Sequence, residues 1–233
     1  MTAPKIYVSP SNQSGNPYAT GGTNERAQCA KIAKACVAYL QKAGFRVKCT
    51  YADDMVDRVR ESNAFGADVH LAIHTNATPN HTVTGGTQVL LYALSGEQKK
   101  LGQAVFDRLA PLTPGKSAEK LVAMPDFYEC RAAKGMTVYC ECEFHDTKTG
   151  SDFIRTHTAA IGEAIAQGIC DYYGVKPTAA KTAAKTKTVA KTATKTAAPL
   201  YVVQAGAFSS EANAKAHVAK LKKAGFEAFY VKK

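Results

Sequence analysis

Residues 67–77 constrain the fold more than any other stretch of this chain. Apolar side chains alternate there over the length of a β-strand, and a strand whose side chains alternate has two distinct faces. The strand ends at His74, and a polar turn follows it. In open α/β sheets, sites form at the edge where the parallel strands have their carboxyl ends. Neutral imidazole is also the commonest metal ligand. A strand-end histidine that only forms hydrogen bonds would fit the same position.

Predicted strands and helices alternate through the first 175 residues. Further strands are predicted at 5–9, 45–51, 88–94 and 136–144, and helices at 25–42, 54–63, 96–109 and 152–173. Alternation of this kind is typical of an α/β domain. We therefore expect a mostly parallel central sheet with helices on both faces.

The rest of the chain has a different composition. Residues 176–199 are a Lys/Thr/Ala tract without an acidic or aromatic residue, which predicts a flexible linker. The pattern of residues 200–233 predicts a strand, a helix and a strand. A βαβ unit of this size is too small to bury a stable core on its own. The expected organisation is a main domain at 1–175, the linker, and a small C-terminal module.

The charge of the chain lies mostly outside the main domain. Of the net charge of +11, the linker carries +6 and the C-terminal module +4, which leaves +1 for residues 1–175. This balance argues against a nucleic-acid groove in the main domain. The chain has no run of the roughly 20 apolar residues that span a membrane. Its start lacks the apolar segment of a signal peptide, so we expect synthesis in the cytoplasm.

The seven cysteines include no Cys-x-x-Cys pair. This spacing favours buried, reduced thiols over a zinc ribbon or a thioredoxin-type motif. Cys140 and Cys142 lie two apart in a predicted strand, so they should share a face, with Glu141 on the other.

Acidic residues mark two places that could meet His74. Glu25 opens the first predicted helix, on the same side of the sheet. Glu141, Glu143 and His145 lie two apart along one strand, so we expect their side chains to point together. Because buried carboxylates need a partner or a function, this group favours a functional site.

The ordered set of these segments resembles the zinc-dependent N-acetylmuramoyl-L-alanine amidases of the Amidase_3 family, over residues 4–175. The segments that carry the resemblance are the helix start at Glu25, Arg58 followed by Asn63, His74-Thr75-Asn76-Ala77, and Glu141 just before Phe144. The family implies one zinc ion held by two histidines and a glutamate. It also implies hydrolysis of the amide that joins the lactyl group of N-acetylmuramic acid (MurNAc) to L-alanine.

The resemblance assigns roles to individual residues of this chain. Glu25 and His74 become zinc ligands, and Glu141 becomes the catalytic acid and base. Asn76 and Arg58, in the matching segments, are assigned to substrate binding. A zinc carboxypeptidase or deacetylase could use similar ligands.

One departure from the family affects the third zinc ligand. Residues 9–13 read Ser-Pro-Ser-Asn-Gln, where the family has a histidine. Asn12 aligns with the ligand position, the longer Gln13 could reach in, and His145 could supply a nitrogen donor unless it pairs with Asp146. An amide oxygen is a poorer zinc ligand than an imidazole. The alternative is a non-catalytic peptidoglycan-binding protein with a degenerate metal site.

The C-terminal module resembles a SPOR repeat, which binds peptidoglycan glycan strands stripped of peptides. The matching segments are 203–209, 213–214 and 221–226. They cover about half of the usual two-repeat domain, which suggests pairing of two chains through this module. The two resemblances together imply peptidoglycan as the partner and the bacterial cell wall as the place of action. A wall-lytic enzyme without a signal peptide would suit a phage endolysin or an autolysin.

Overall fold

The computed structural model describes residues 2–78 and 85–175, together with residues 210–212, 214–215 and 217–218. The chain divides into two compact units, Met1–Ala183 and Ala184–Lys233. In the second unit the backbone N–H of Ala214 donates to the carbonyl of Ser210, and the described residues from Glu211 are helical, as predicted. The predicted linker and the predicted strands of the C-terminal module lie outside the described residues.

The first unit contains strands and helices in alternation. Its strands are β1 (Lys5–Pro10), β2 (Arg46–Cys49), β3 (Val69–Asn76), β4 (Gln88–Leu91), β5 (Lys120–Ala123) and β6 (Met136–Phe144). Its α-helices are α1 (Glu25–Lys42), α2 (Met55–Phe65), α3 (Gly96–Leu109), α4 (Tyr128–Ala132) and α5 (Lys148–Tyr173). A 3-10 turn, Ala110–Leu112, follows α3. No helix among the described residues is long and apolar enough to cross a membrane.

The strands form one sheet in the order β2-β1-β3-β6-β4-β5. All neighbours are parallel except β6 and β4, which are antiparallel. This confirms the predicted α/β fold with a mostly parallel sheet. Because β3 and β6 are parallel neighbours, their carboxyl ends meet at one edge, where His74 lies opposite Glu141 in the register.

One face of the sheet forms the hydrophobic core. Alternate residues of the strands, such as Leu71, Ile73 and Val138, pack there against the apolar stripes of α1, α3 and α5. Cys140 and Cys142 belong to the same cluster, as their spacing predicts, and both are free, buried thiols.

The opposite face is more polar and lies beneath the shorter helices α2 and α4. Ser9, His70 and Thr137 are buried on it, beside a small apolar cluster that includes Ala72 and Tyr139. His74 and Glu141 follow Ala72 and Tyr139 at a spacing of two, so they belong to this face as well. The candidate site therefore lies where the polar face reaches the carboxyl edge of the sheet.

The start of α1 is fixed at the same edge. The Asn24 side chain caps the helix by accepting a hydrogen bond from the backbone N–H of Ala27, at 3.0 Å. An asparagine cap suits this position because its oxygen satisfies one of the free N–H groups of the first turn. Glu25, the first helical residue, is thereby held beside the end of β3.

Candidate metal and catalytic site

Glu25 and His74 form a buried pair at the carboxyl edge of the sheet. Glu25 Oε1 lies 2.8 Å from His74 Nδ1, and the side chains are almost completely buried. Burial opposes the charged form of both groups, but the hydrogen bond and charge that they share lower the pKa of Glu25 and raise that of His74. The structure thus brings together the two residues predicted to be zinc ligands.

Glu141 lies beside this pair on the neighbouring strand. Its Oε2 atom is buried and has no hydrogen-bond partner among the described residues. Burial raises the pKa of Glu141 to about 8, while the charge of His74 lowers it and the charge of Glu25 raises it further. A carboxyl group whose pKa lies near neutral pH can both accept and donate a proton, as general acid–base catalysis requires.

Asn16 connects Glu25 to one of the predicted third ligands. Its Nδ2 donates to Glu25 Oε2 at 2.7 Å and to Gln13 Oε1 at 2.6 Å. The amide oxygen of Gln13 is therefore held close to the Glu25 carboxylate. The Asn12 side chain instead donates to the backbone carbonyl of Asp53. Gln13 is thus linked to the pair through Asn16, whereas the Asn12 amide is bound to Asp53, and both side chains line the cavity that contains His74.

His145 is engaged elsewhere. Its Nδ1 lies 2.9 Å from both the carbonyl oxygen and the hydroxyl of Thr75. Its ring stacks on Tyr18, with ring centroids 4.9 Å apart, and burial lowers its pKa. These contacts hold the imidazole against Thr75 and Tyr18. Among the described residues, the ring forms no direct hydrogen bond with Glu25 or His74.

The expectation that Glu141, Glu143 and His145 point together is wrong. The Glu143 carboxylate accepts hydrogen bonds from the backbone N–H groups of Gly86, Gly115 and Phe144. The pairing of β3 with β6 shifts register after His74, because β6 contains one residue more than β3 over this stretch. Such an irregularity re-aims the side chains that follow it.

Glu129 is a buried acid of the site that the sequence analysis missed. It lies on α4, where its Oε1 is 2.7 Å from Ser9 Oγ and 3.0 Å from His70 Nε2. Its Oε2 faces His74 Nε2 at 3.9 Å. The one available signal was His70, a buried polar residue on the same strand face as His74, which implied a partner.

The two residues assigned to substrate binding form hydrogen bonds within the protein. Arg58 is buried, and it donates to the carbonyls of Ala52 and Pro10 and to the hydroxyl of Ser9. Asn76 Nδ2 donates to Gln88 Oε1 at 3.3 Å. Arg58 also borders the cavity beside the site, whereas Asn76 is held at the end of β3.

A cavity of about 320 Å³ opens on His74 from the polar face. Its walls combine aromatic, polar and charged side chains: Asn12, Gln13, Met55, Arg58, His74, Asp126, Phe127, Tyr128, Glu129 and Tyr139. A concave space with aromatic walls and a few polar groups is the usual form of a ligand site.

The side chains at the Glu25–His74 pair fit two positions of a zinc site. Zinc prefers imidazole and carboxylate donors, and the free oxygen of Glu141 is a buried polar atom that a bound cation or water would satisfy. The described residues contain no group of three or more His, Cys, Asp or Glu that could hold a metal. Beside the pair, the Gln13 amide oxygen is a further polar group that is linked to Glu25 through Asn16.

Comparisons with known proteins agree with this architecture. Residues 6–171 match the family model Amidase_3, described as N-acetylmuramoyl-L-alanine amidase, and residues 175–232 match the SPOR domain. No curated protein matches.

Solved structures of amidases share the fold. N-acetylmuramoyl-L-alanine amidase AmiC2 of Nostoc punctiforme is 22% identical, with a TM-score of 0.65, over 73% of this chain and 97% of that chain. An N-acetylmuramoyl-L-alanine amidase from Clostridium difficile 630 is also 22% identical, with a TM-score of 0.66, over 75% and 98%. The catalytic domain of CwlV from Paenibacillus polymyxa is 17% identical, with a TM-score of 0.65, over 74% and 99%. The chain belongs to the Amidase_3 family of N-acetylmuramoyl-L-alanine amidases and carries a C-terminal SPOR domain.

Proposed function

We propose that this chain is a zinc-dependent amidase that cleaves the bond between the lactyl group of MurNAc and the L-alanine of the stem peptide. The family match and the fold support an amidase that acts on peptidoglycan. The observation that carries the finer proposal is the Glu25–His74 pair, with the free buried oxygen of Glu141 beside it.

Glu25 and His74 would hold the zinc ion, with Gln13 as the third protein ligand. Gln13 is favoured because Asn16 holds its amide oxygen next to Glu25, whereas Asn12 and His145 are bound to other backbone groups. When bound at such a site, zinc supplies the Lewis acidity that polarises a carbonyl and activates water.

Glu141 would handle the proton of the reaction. As a carboxylate it takes the proton of the attacking water, and it then passes that proton to the leaving nitrogen of L-alanine. In the metal-free chain burial raises the pKa of Glu141 to about 8. A neighbouring cation favours the ionised carboxylate, so metal binding would prepare Glu141 to act as the base.

The C-terminal region would hold the enzyme at its substrate. A SPOR domain that engages the cell wall raises the local concentration of the amidase domain there. Residues 176–199, with six lysines and no acid, would add a salt-sensitive attraction to anionic wall polymers. Pairing of two chains through this domain is part of the proposal, and sedimentation of the full chain tests it.

Digestion of purified peptidoglycan tests both the bond and the metal. We expect the parent to release intact stem peptides with a free amino group on L-alanine. A chelator should abolish release, added zinc should restore it, and metal analysis should find about one zinc per chain. Release of single C-terminal amino acids would indicate a carboxypeptidase instead, and release of acetate a deacetylase.

A non-catalytic peptidoglycan-binding protein is the second candidate. It is favoured because residues 9–13 contain no histidine and the described residues contain no group of three or more His, Cys, Asp or Glu that could hold a metal. A chain that takes up no zinc under zinc-replete conditions, yet sediments with peptidoglycan, would support this candidate and reject the enzyme.

A further inference from the structure

We propose that Glu129 is a positioning residue for His74, and that it fixes the ring orientation and tautomer with which His74 binds metal. This inference rests on the proposed metal site. It assigns a task to α4, a helix of five residues between β5 and β6.

Two carboxylates lie at opposite ends of the His74 ring. Glu25 Oε1 is 2.8 Å from Nδ1, and Glu129 Oε2 is 3.9 Å from Nε2. A metal-bound imidazole uses one nitrogen for the metal and donates the N–H of the other, commonly to a carboxylate. If Nδ1 shares the metal with Glu25, then Nε2 keeps its proton and faces Glu129.

The plane of the His74 ring is already fixed by stacking. Tyr139 lies against it, with ring centroids 4.4 Å apart and planes 19° from parallel. Stacking does not distinguish the ring from its flipped form, in which each nitrogen takes the place of a ring carbon. The carboxylates at the two ends can make that distinction, because each offers an acceptor to a particular nitrogen.

Glu129 is itself rigidly held. The Ser9 hydroxyl donates to its Oε1, and His70 Nε2 lies 3.0 Å from the same oxygen. The ring of His70 stacks on Tyr7, with centroids 5.5 Å apart. With Oε1 anchored in this way, Oε2 is turned toward the cavity and His74. Supporting contacts of this kind hold a ligand in its productive geometry.

The separation of 3.9 Å is an ion-pair distance and exceeds that of a direct hydrogen bond. A small rotation of either side chain, or one bridging water, completes the contact. Removal of the negative charge from Glu129 should therefore weaken metal binding without removing a metal ligand.

Zinc affinity tests the proposal, measured by competition with a coloured chelator on the full chain. We expect Glu129→Gln to bind zinc about 10–100-fold more weakly than the parent, which is the usual effect of losing such a supporting contact. Ser9→Ala removes one anchor of Glu129 and should shift affinity in the same direction by less. Glu163→Gln, which changes an exposed carboxylate on α5, is the matched control and should bind as the parent does.

A nuclear magnetic resonance measurement separates positioning from simple loss of packing. In the zinc-loaded parent, the nitrogen shifts of His74 should show the proton on Nε2. That N–H signal should move in Glu129→Gln and stay unchanged in Glu163→Gln. Parent-like zinc affinity and an unmoved signal in Glu129→Gln would overturn the inference. If Glu129→Gln does not fold, parent-like affinity in Ser9→Ala overturns it.

The outcome also separates this inference from the proposed function. If the parent binds zinc and releases stem peptides while Glu129→Gln matches it, only the role of Glu129 is rejected. A parent that binds no zinc rejects the proposed function and this inference together.

Discussion

The two faces of the central sheet come from the same strands but carry opposite kinds of side chain. Leu71, Ile73 and Cys140 point into a dry core covered by α1, α3 and α5. The residues that alternate with them along β3, such as His70 and His74, enter a polar layer beneath α2 and α4. The first face stabilises the fold through apolar burial, whereas the second holds charged groups in fixed positions.

This division shows why the site lies on the polar face of the sheet. Burial of an acid costs less free energy when hydrogen-bond partners are present, and the polar layer provides them for Glu129 through Ser9 and His70. Substitutions on the two faces should therefore affect different properties, and the following predictions test that separation.

The largest expected effect is on the polar face. His74→Ala should lose both bound zinc and the release of stem peptides, because it removes a metal donor. The apolar core is on the other face, so the protein should still fold cooperatively. Metal analysis, peptide release and thermal unfolding of the same sample check this. His157→Ala, at an exposed histidine of α5, is the control, and equal losses in the two variants would contradict the account.

The next largest effect is on the apolar face. Leu71 is fully buried, so Leu71→Ala should lower the free energy of unfolding by about 2–5 kcal/mol through lost burial and a cavity. Denaturant unfolding measures the change. Leu112→Ala, at a leucine that is 40% exposed, should change stability by about 0.5 kcal/mol or less. If the Leu71→Ala chain still folds but has lost zinc affinity, the two faces are not independent.

A pH-dependent effect should come from Glu141 in the metal-free chain. Burial raises its pKa from 4.5 to about 8, so between these values the folded chain keeps a proton that the unfolded chain has lost. The free energy of unfolding of the parent should therefore fall, relative to that of Glu141→Gln, as pH rises through this window. Urea unfolding of both chains at several pH values measures the difference. Parallel pH profiles would show that Glu141 is ionised alike in the folded and unfolded states.

The smallest effect concerns the cap that places Glu25. Asn24→Ala removes the hydrogen bond to the Ala27 N–H and should cost about 0.5–2 kcal/mol of stability. Denaturant unfolding measures this loss, and chelator competition shows whether zinc affinity falls with it. An unchanged unfolding midpoint would mean that the cap contributes little to the start of α1.

Much of the fold could be predicted from side-chain periodicity. The apolar stripe of α1 and the alternation in β3 and β6 follow directly from residue spacing, and so does the placement of Cys140 and Cys142 in the core. Glu25 and His74 could be placed at one edge, because a helix that follows a parallel strand begins where its neighbouring strands end.

The parts that were missed depend on contacts that residue spacing does not encode. β5 and α4 have four and five residues, too few for a period to show, so Glu129 had no visible place in the fold. The register shift between β3 and β6 is set by pairing across strands, and it separated Glu143 and His145 from Glu141. The sequence left the proposed third ligand open among Asn12, Gln13 and His145, because their contacts depend on the loop geometry near Asn16.

The most direct test of the account measures zinc content and stem-peptide release in the same preparations of parent, Glu141→Gln and Glu163→Gln. Loss of a general acid–base should slow release by about 10²–10⁴-fold, while zinc content should stay at the parent level because the proposed ligands are unchanged. Glu163→Gln should match the parent in both. If Glu141→Gln digests peptidoglycan as fast as the parent, Glu141 does not carry the proton and the central claim fails.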